Sequence, residues 1–140
     1  MLSPIQQKYC AVLQPLFAVY EETLTPATAA QLSVFKKAAA SAGLPANVIA
    51  ELAEFYEVSN GVEPCLNGFS FHQCNDALLW EWWDDKQQDL WLGSCDDDVL
   101  YWQNGQFYFG DVGDVNTSDK QGYSSLLDML HAGFEFWNLV

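Results

Sequence analysis

Val99-Leu100-Tyr101-Trp102-Gln103-Asn104-Gly105-Gln106-Phe107-Tyr108-Phe109-Gly110 decides how this chain is read. Two short aromatic runs flank Asn104-Gly105, and both central residues of a type I′ turn need positive φ, which Asn-Gly supplies most readily. A two-residue loop fixes the pairing, so Trp102 opposes Phe107, Tyr101 opposes Tyr108 and Leu100 opposes Phe109. Side chains alternate along a strand. Leu100, Trp102, Phe107 and Phe109 therefore share one face, expected to be the core side. Tyr101, Gln103, Gln106 and Tyr108 share the other, half polar and available to a partner.

Outward from the hairpin, turn residues separate further short apolar runs. Phe69 to Gln73 and Leu90 to Leu92 are expected strands, Asn75-Asp76 caps a short helix through Ala77 to Trp83, and Asp96-Asp97-Asp98 forms an acidic turn. Before Gly61 the spacing is helical instead. Ser3-Pro4-Ile5-Gln6 offers an N-cap, a proline at N1 and a capping-box glutamine. Pro15 predicts a kink or break between Gln14 and Leu16. Thr25-Pro26 opens a second helix to Ala42, with Gly43 placed to end it. Pro45 begins a third, in which Val48, Ile49, Leu52, Phe55 and Tyr56 recur at helical spacing, and Asn60-Gly61 closes it. After a polar, loop-like stretch from Asp111 to Gly122, Ser125 with Asp128 starts a last helix whose apolar stripe is Leu126, Leu127, Leu130, Phe134 and Trp137. The expected architecture is a single α+β domain over residues 1–140: N-terminal helices, a central antiparallel sheet and a closing C-terminal helix.

Composition supports one packed core. Of 140 residues half are hydrophobic and six are Trp, enough apolar surface to offset chain ordering without metals or disulfides. Charge is the strongest signal: 19 acidic residues face five Lys and no Arg, a formal net charge of −14. Such a surface repels phosphate and lacks the guanidinium forks that grip nucleic acid, so nucleic acid and anionic membrane surfaces are not expected partners. A basic protein is, with association fastest at low salt; the plainer alternative is that the charge serves solubility alone. Met1 to Tyr9 is polar and no apolar run approaches the roughly 18 residues that span a bilayer, so a cytoplasmic location is expected. Cys10, Cys65, Cys74 and Cys95 form no Cys-x-x-Cys pair, which suits reduced thiols there.

These pieces, taken in order, resemble the SUKH superfamily, which includes fungal cell-wall-assembly regulators and many bacterial immunity proteins. Leu44-Pro45 opening a helix with Leu52, Phe55 and Tyr56 and ending at Asn60-Gly61 looks like its LP…(F/Y)…NG signature. Leu92-Gly93-Ser94 before the acidic turn, the strands Val99 to Trp102 and Phe107 to Phe109, and Gly110-Asp111 look like its central hairpin region. The helix from Tyr123 to Leu130 is similar to its closing element. The resemblance spans residues 44–135, about two-thirds of the chain, and departs from the family at Trp80-Glu81-Trp82-Trp83, where the family varies. It implies an immunity protein, a toxin inhibitor that binds and neutralises a toxin domain, often a nuclease, of a contact-dependent or polymorphic toxin system. A regulatory adaptor for an endogenous protein is the alternative it also implies.

The candidate binding face lies between Asp76 and Asp119, which hold 11 of the 19 acids, one Lys and five of the six Trp. The partner-binding residues expected there are Glu81, Trp82, Trp83, Asp84, Asp85, Asp89, Trp91, Asp96, Asp97, Asp98, Tyr101 and Tyr108. If the segment stayed helical, Glu81, Asp85 and Asp89 would stack at i, i+4, each like-charge pair costing about 0.2–0.5 kcal/mol. Self-repulsion of this kind suits a cationic partner, and an accessible Trp82, Trp83 or Trp91 suits an interface anchor. The alternative is that the indoles fill the core while the acids keep loops wet. No metal or other cofactor is expected. Cys65, His72, Cys74 and Cys95 match no zinc pattern, and Asp114, Asn116 and Ser118 lack the glycine and glutamate of a calcium loop, having Asp119 and Ser125 in those places. No catalytic residue is expected either: His72 and His131 are the only neutral-pH bases, Gly122-Tyr123-Ser124-Ser125-Leu126 lacks a nucleophile elbow's final glycine, and no phosphate-cradling loop exists. Paired carboxylates acting as in a glycosidase are the remaining enzyme reading.

Overall fold

The computed structural model describes residues 2–66, 68–111 and 120–139. The chain folds as α+β, three helices before a five-stranded antiparallel sheet and one after it. The first helix, α1 (Pro4–Val19), starts as its sequence dictates: the Ser3 hydroxyl accepts from the Gln6 N–H and the Gln6 side chain accepts from the Ser3 N–H. The expected break at Pro15 is absent, and the helix runs through it. Val12 and Leu13 before the proline and Leu16 and Phe17 after it are all buried, and packing on both sides outweighs the one hydrogen bond that proline forfeits.

The next helix, α2 (Ala29–Ala42), begins later than Thr25-Pro26 suggests, on a Thr28–Gln31 capping box. Residues 25–27 are occupied elsewhere: the Ala27 N–H donates to the Tyr56 carbonyl and the Thr25 carbonyl accepts from the Asn60 N–H, at 2.9 and 2.7 Å. Gly43 ends α2 with φ +91°, the left-handed conformation that glycine adopts without strain. Helix α3 (Ala46–Tyr56) stops before Asn60-Gly61, which has a different task. The Asn60 side chain donates to Gln31 and Asn75 and accepts from the Cys74 N–H. It thereby ties α2, the start of the sheet and the segment after the second strand together.

The strands are β1 (Val62–Leu66), β2 (Phe69–Phe71), β3 (Leu90–Cys95), β4 (Asp98–Gln103) and β5 (Gln106–Asp111), each paired with the next in chain order. Strand β1 carries Pro64, which makes its sequence look unlike a strand; it lies at the sheet edge, where a missing N–H is tolerated. The hairpin register is the expected one, Leu100 with Phe109, Tyr101 with Tyr108 and Trp102 with Phe107, and Asn104 and Gly105 both have positive φ. The acidic turn narrows to Asp96-Asp97, because Asp98 already pairs with Cys95. A bulge at Leu92-Gly93 interrupts the β3–β4 register. A Cβ on Gly93 would sit 2.1 Å from the Ser70 carbonyl oxygen, so the close approach of β2 requires glycine.

Helix α4 (Leu126–Phe136) is capped by the Ser125 hydroxyl, and its Leu126 N–H donates to Glu51 of α3 at 2.6 Å. Helices α3 and α4 meet one face of the sheet in an aromatic core, where Phe55 contacts Phe71 and Phe69 contacts Phe134, and α1 packs on both helices, with Tyr9 against Phe55. Helix α2 packs on α3. No helix among the described residues is long and apolar enough to cross a membrane.

Candidate functional site

Alternate residues of the same strands point away from the helices and build a second, smaller cluster. Val99, Tyr101 and Tyr108 are its buried members, with Trp82 and Trp91 packed on them, and no helical residue joins it among the described residues. Trp82 and Trp91 stack nearly parallel, 4.7 Å between centroids and 13° between planes. Tyr101 and Tyr108 do the same at 5.3 Å and 19°. The indoles remain half-buried. The Trp91 indole N–H donates to the Gly93 carbonyl at 2.9 Å, so the bulge that admits β2 also orients the ring.

A polar chain braces this face. Lys120 Nζ lies 4.6 Å from the centre of the Tyr108 ring and 5.2 Å from that of Tyr101, within cation–π range. The ammonium also donates to Gln103 Oε1, and Gln103 Nε2 donates to Asp89 Oδ1 at 2.6 Å. Burial holds the Lys120 pKa below its ordinary value, with Asp89 acting the other way. His72, at the end of β2, meets Trp91 edge-on at 4.6 Å. Its Nε2 is buried without a hydrogen-bond partner, and burial lowers its pKa below the usual imidazole range against an opposing pull from Asp76.

The expected binding residues divide into three groups. Trp82, Trp91, Tyr101 and Tyr108 do come together, but Tyr101 and Tyr108 are only 2% and 8% exposed and Asp89 only 3%. These three support the face from beneath, which corrects the expectation that they are available to a partner. Trp83 and Asp98 point to the helical side: the Trp83 indole donates to the Ala42 carbonyl and stacks towards Trp102, and Asp98 accepts from the Trp137 indole at 2.8 Å. Glu81, Asp84, Asp85, Asp96 and Asp97 are exposed. The helical stacking of Glu81, Asp85 and Asp89 does not occur, because the helix expected to Trp83 is a single 3₁₀ turn, Ala77–Trp80. Asp84 instead organises the turn after Trp83, accepting from the Lys86 and Gln87 N–H groups at 2.7 and 2.6 Å, and these two donors hold its pKa below the usual carboxylate value.

The alternation of β4 places Gln103 on this face as expected, but its bridge to Asp89 and the presence of His72 and Lys120 here were not expected. Lys120 had no signal, standing in a polar stretch with no periodicity. Among the described residues no three His, Cys, Asp or Glu side chains gather as metal ligands. Burial raises the Cys74 thiol, and burial with Asp96 and Asp98 pushes Cys95 up to about 11; the side chain of Cys65 lies outside the described ones. The calcium-spaced Asp114, Asn116 and Ser118, with Asp119, lie outside the described residues.

The chain matches no family model and no curated protein sequence. Its own geometry therefore carries the functional reading.

Proposed function

We propose that this protein acts by occlusion, binding a basic protein through the Trp82–Trp91 face, and that it is an immunity protein of SUKH type that neutralises a toxin domain in the cytoplasm. The observation that carries the reading is the stacked, half-buried indole pair on a sheet face to which no helix contributes among the described residues. Fixed aromatic rings with part of their area still in water are the kind of anchor that interface hot spots use, because covering them adds apolar burial without first ordering a flexible side chain. Exposed carboxylates lie on the segments that carry the pair: Glu81 and Asp85 in the Trp82 segment, and Asp96 and Asp97 in the turn that ends the Trp91 strand. A partner with lysines and arginines would be steered there. The resemblance of residues 44–135 to the SUKH superfamily implies the same reading.

The test is rescue. Co-expression with the C-terminal domain of a toxin encoded beside this gene should restore growth, and Trp82→Ala with Trp91→Ala should abolish that rescue while leaving the protein folded by circular dichroism. Neutralising Asp85, Asp96 and Asp97 should slow association and flatten its salt dependence. Asp84 is left intact because its carboxylate holds a turn. Growth inhibition that persists beside the wild-type protein, or rescue indifferent to both indoles, would contradict the proposal.

A further inference from the structure

His72 stands beside the indole pair with its backbone tied on both sides. Its N–H donates to the Leu92 carbonyl at 2.7 Å, and its carbonyl accepts from the Tyr56 hydroxyl at 2.9 Å. The ring is placed differently. Nε2 is buried without a hydrogen-bond partner, and the Trp91 ring lies edge-on against the imidazole, 4.6 Å between centroids and 87° between planes. Trp91 is itself set by its indole N–H on the Gly93 carbonyl and by its stack on Trp82.

A neutral imidazole can keep its one proton on Nδ1 and leave Nε2 a bare acceptor. An imidazolium carries an N–H on both nitrogens, so at Nε2 a charged donor would be buried with nothing to receive it, which costs more than an unmet lone pair. The groups around the ring give little relief. Asp76, after β2, favours the charged form, but burial outweighs it and holds the pKa below its ordinary value. Helix α3 brings the Tyr56 hydroxyl, kept neutral by burial; β3 has no charged residue; and Glu63 of β1 is exposed. With the backbone tied, the protonated ring reaches water by turning about its side-chain bonds, and Trp91 stands against it.

We propose that His72 is a pH-sensitive latch on the indole pair: on taking a proton from solvent its ring turns out to water and lifts Trp91 off Trp82. The consequence for binding rests on the reading of this pair as the surface that grips a partner, and it is a grip present near neutral pH and lost in acid.

The test uses the protein alone, so its failure leaves the immunity reading standing, and a failed toxin rescue leaves the latch standing. The six indole N–H resonances of the ¹⁵N-labelled protein are followed from pH 7.5 to 5 together with the His72 ring protons. Those of Trp82 and Trp91 should move with the His72 ring, at a midpoint below about 6.5, while those of Trp83 and Trp137, bonded on the helical side, stay in place. At pH 5.5 the Trp91 indole N–H should exchange with solvent about tenfold faster in the wild type than in His72→Phe, because opening exposes a bonded donor; comparison at one pH removes the intrinsic pH dependence of exchange. The wild-type titration decides even where His72→Phe fails to fold. Indoles that stay still while His72 titrates, a His72 ring that remains neutral down to pH 5, or exchange unchanged by a folded His72→Phe would each overturn the proposal.

Discussion

On β4, Leu100 and Trp102 turn into the helices while Val99, Tyr101 and Gln103 turn the other way, and the two faces are held by different physics. The helical face is sealed. Phe69, Phe71, Leu90, Leu92, Leu100 and Phe107 are all at most 2% exposed, part of one apolar cluster with the helices. On the opposite face the buried apolar members among the described residues are two tyrosines and a valine, and they are completed by a lysine over the rings and a Gln103–Asp89 bridge. The stacked indoles on top of them stay partly in water. Under the proposed function, their half-buried area is the apolar surface that a partner covers.

Substitutions measure the contrast from its largest effect downward. Phe71→Ala, in the sealed face, should cost about 4 kcal/mol in urea unfolding, the transfer term plus a cavity. Asn60→Ala should cost about 2 kcal/mol, because the Cys74 N–H is left buried without an acceptor, and the loss should appear as a lower midpoint with little change in slope. Trp91→Ala should cost only about 1 kcal/mol, a half-buried ring with one stacking partner. A Trp91 cost as large as that of Phe71 would mean the second face is a core of its own, and the comparison would fail.

The smallest effect is the pH response at His72. Its native pKa is lowered by burial, so in the window just below the ordinary value of about 6.5 the unfolded chain binds the proton that the folded chain refuses. Stability is then fully present above that value and falls as pH drops through the depressed native pKa. Melting temperature followed from pH 7 to 5.5 should decline, and His72→Phe should reduce the decline. An unchanged slope would place the source in other groups.

Much of the architecture could be read from residues whose local chemistry agrees with their surroundings. Asn104-Gly105 set the hairpin register, the Ser3 box set the start of α1, and Gly43 ended α2 with the positive φ that its identity suggests. Pro15 misled because burial on both sides outweighs a local preference, and Pro64 concealed β1 because a proline strand is recognisable only once it is known to be an edge. The site was legible in composition and not in detail. Trp82 and Trp83 are neighbours on opposite faces, Trp83 pairing with Gln88 across a turn that Asp84 holds by accepting two backbone N–H groups, and no periodicity announces that turn. Tyr101 and Tyr108 were placed on the correct face, but their burial depends on Trp82, Trp91 and Lys120, which are brought to them only by the tertiary fold.

The indole-bearing face is the surface proposed to be covered by a basic partner. Hydrogen–deuterium exchange on the complex with the neighbouring toxin domain tests this most directly. It should show new protection at residues 81–91 and 96–97 with α1 and α4 unchanged; protection confined to the helices, with the Trp82 segment exchanging as in the free protein, would contradict it.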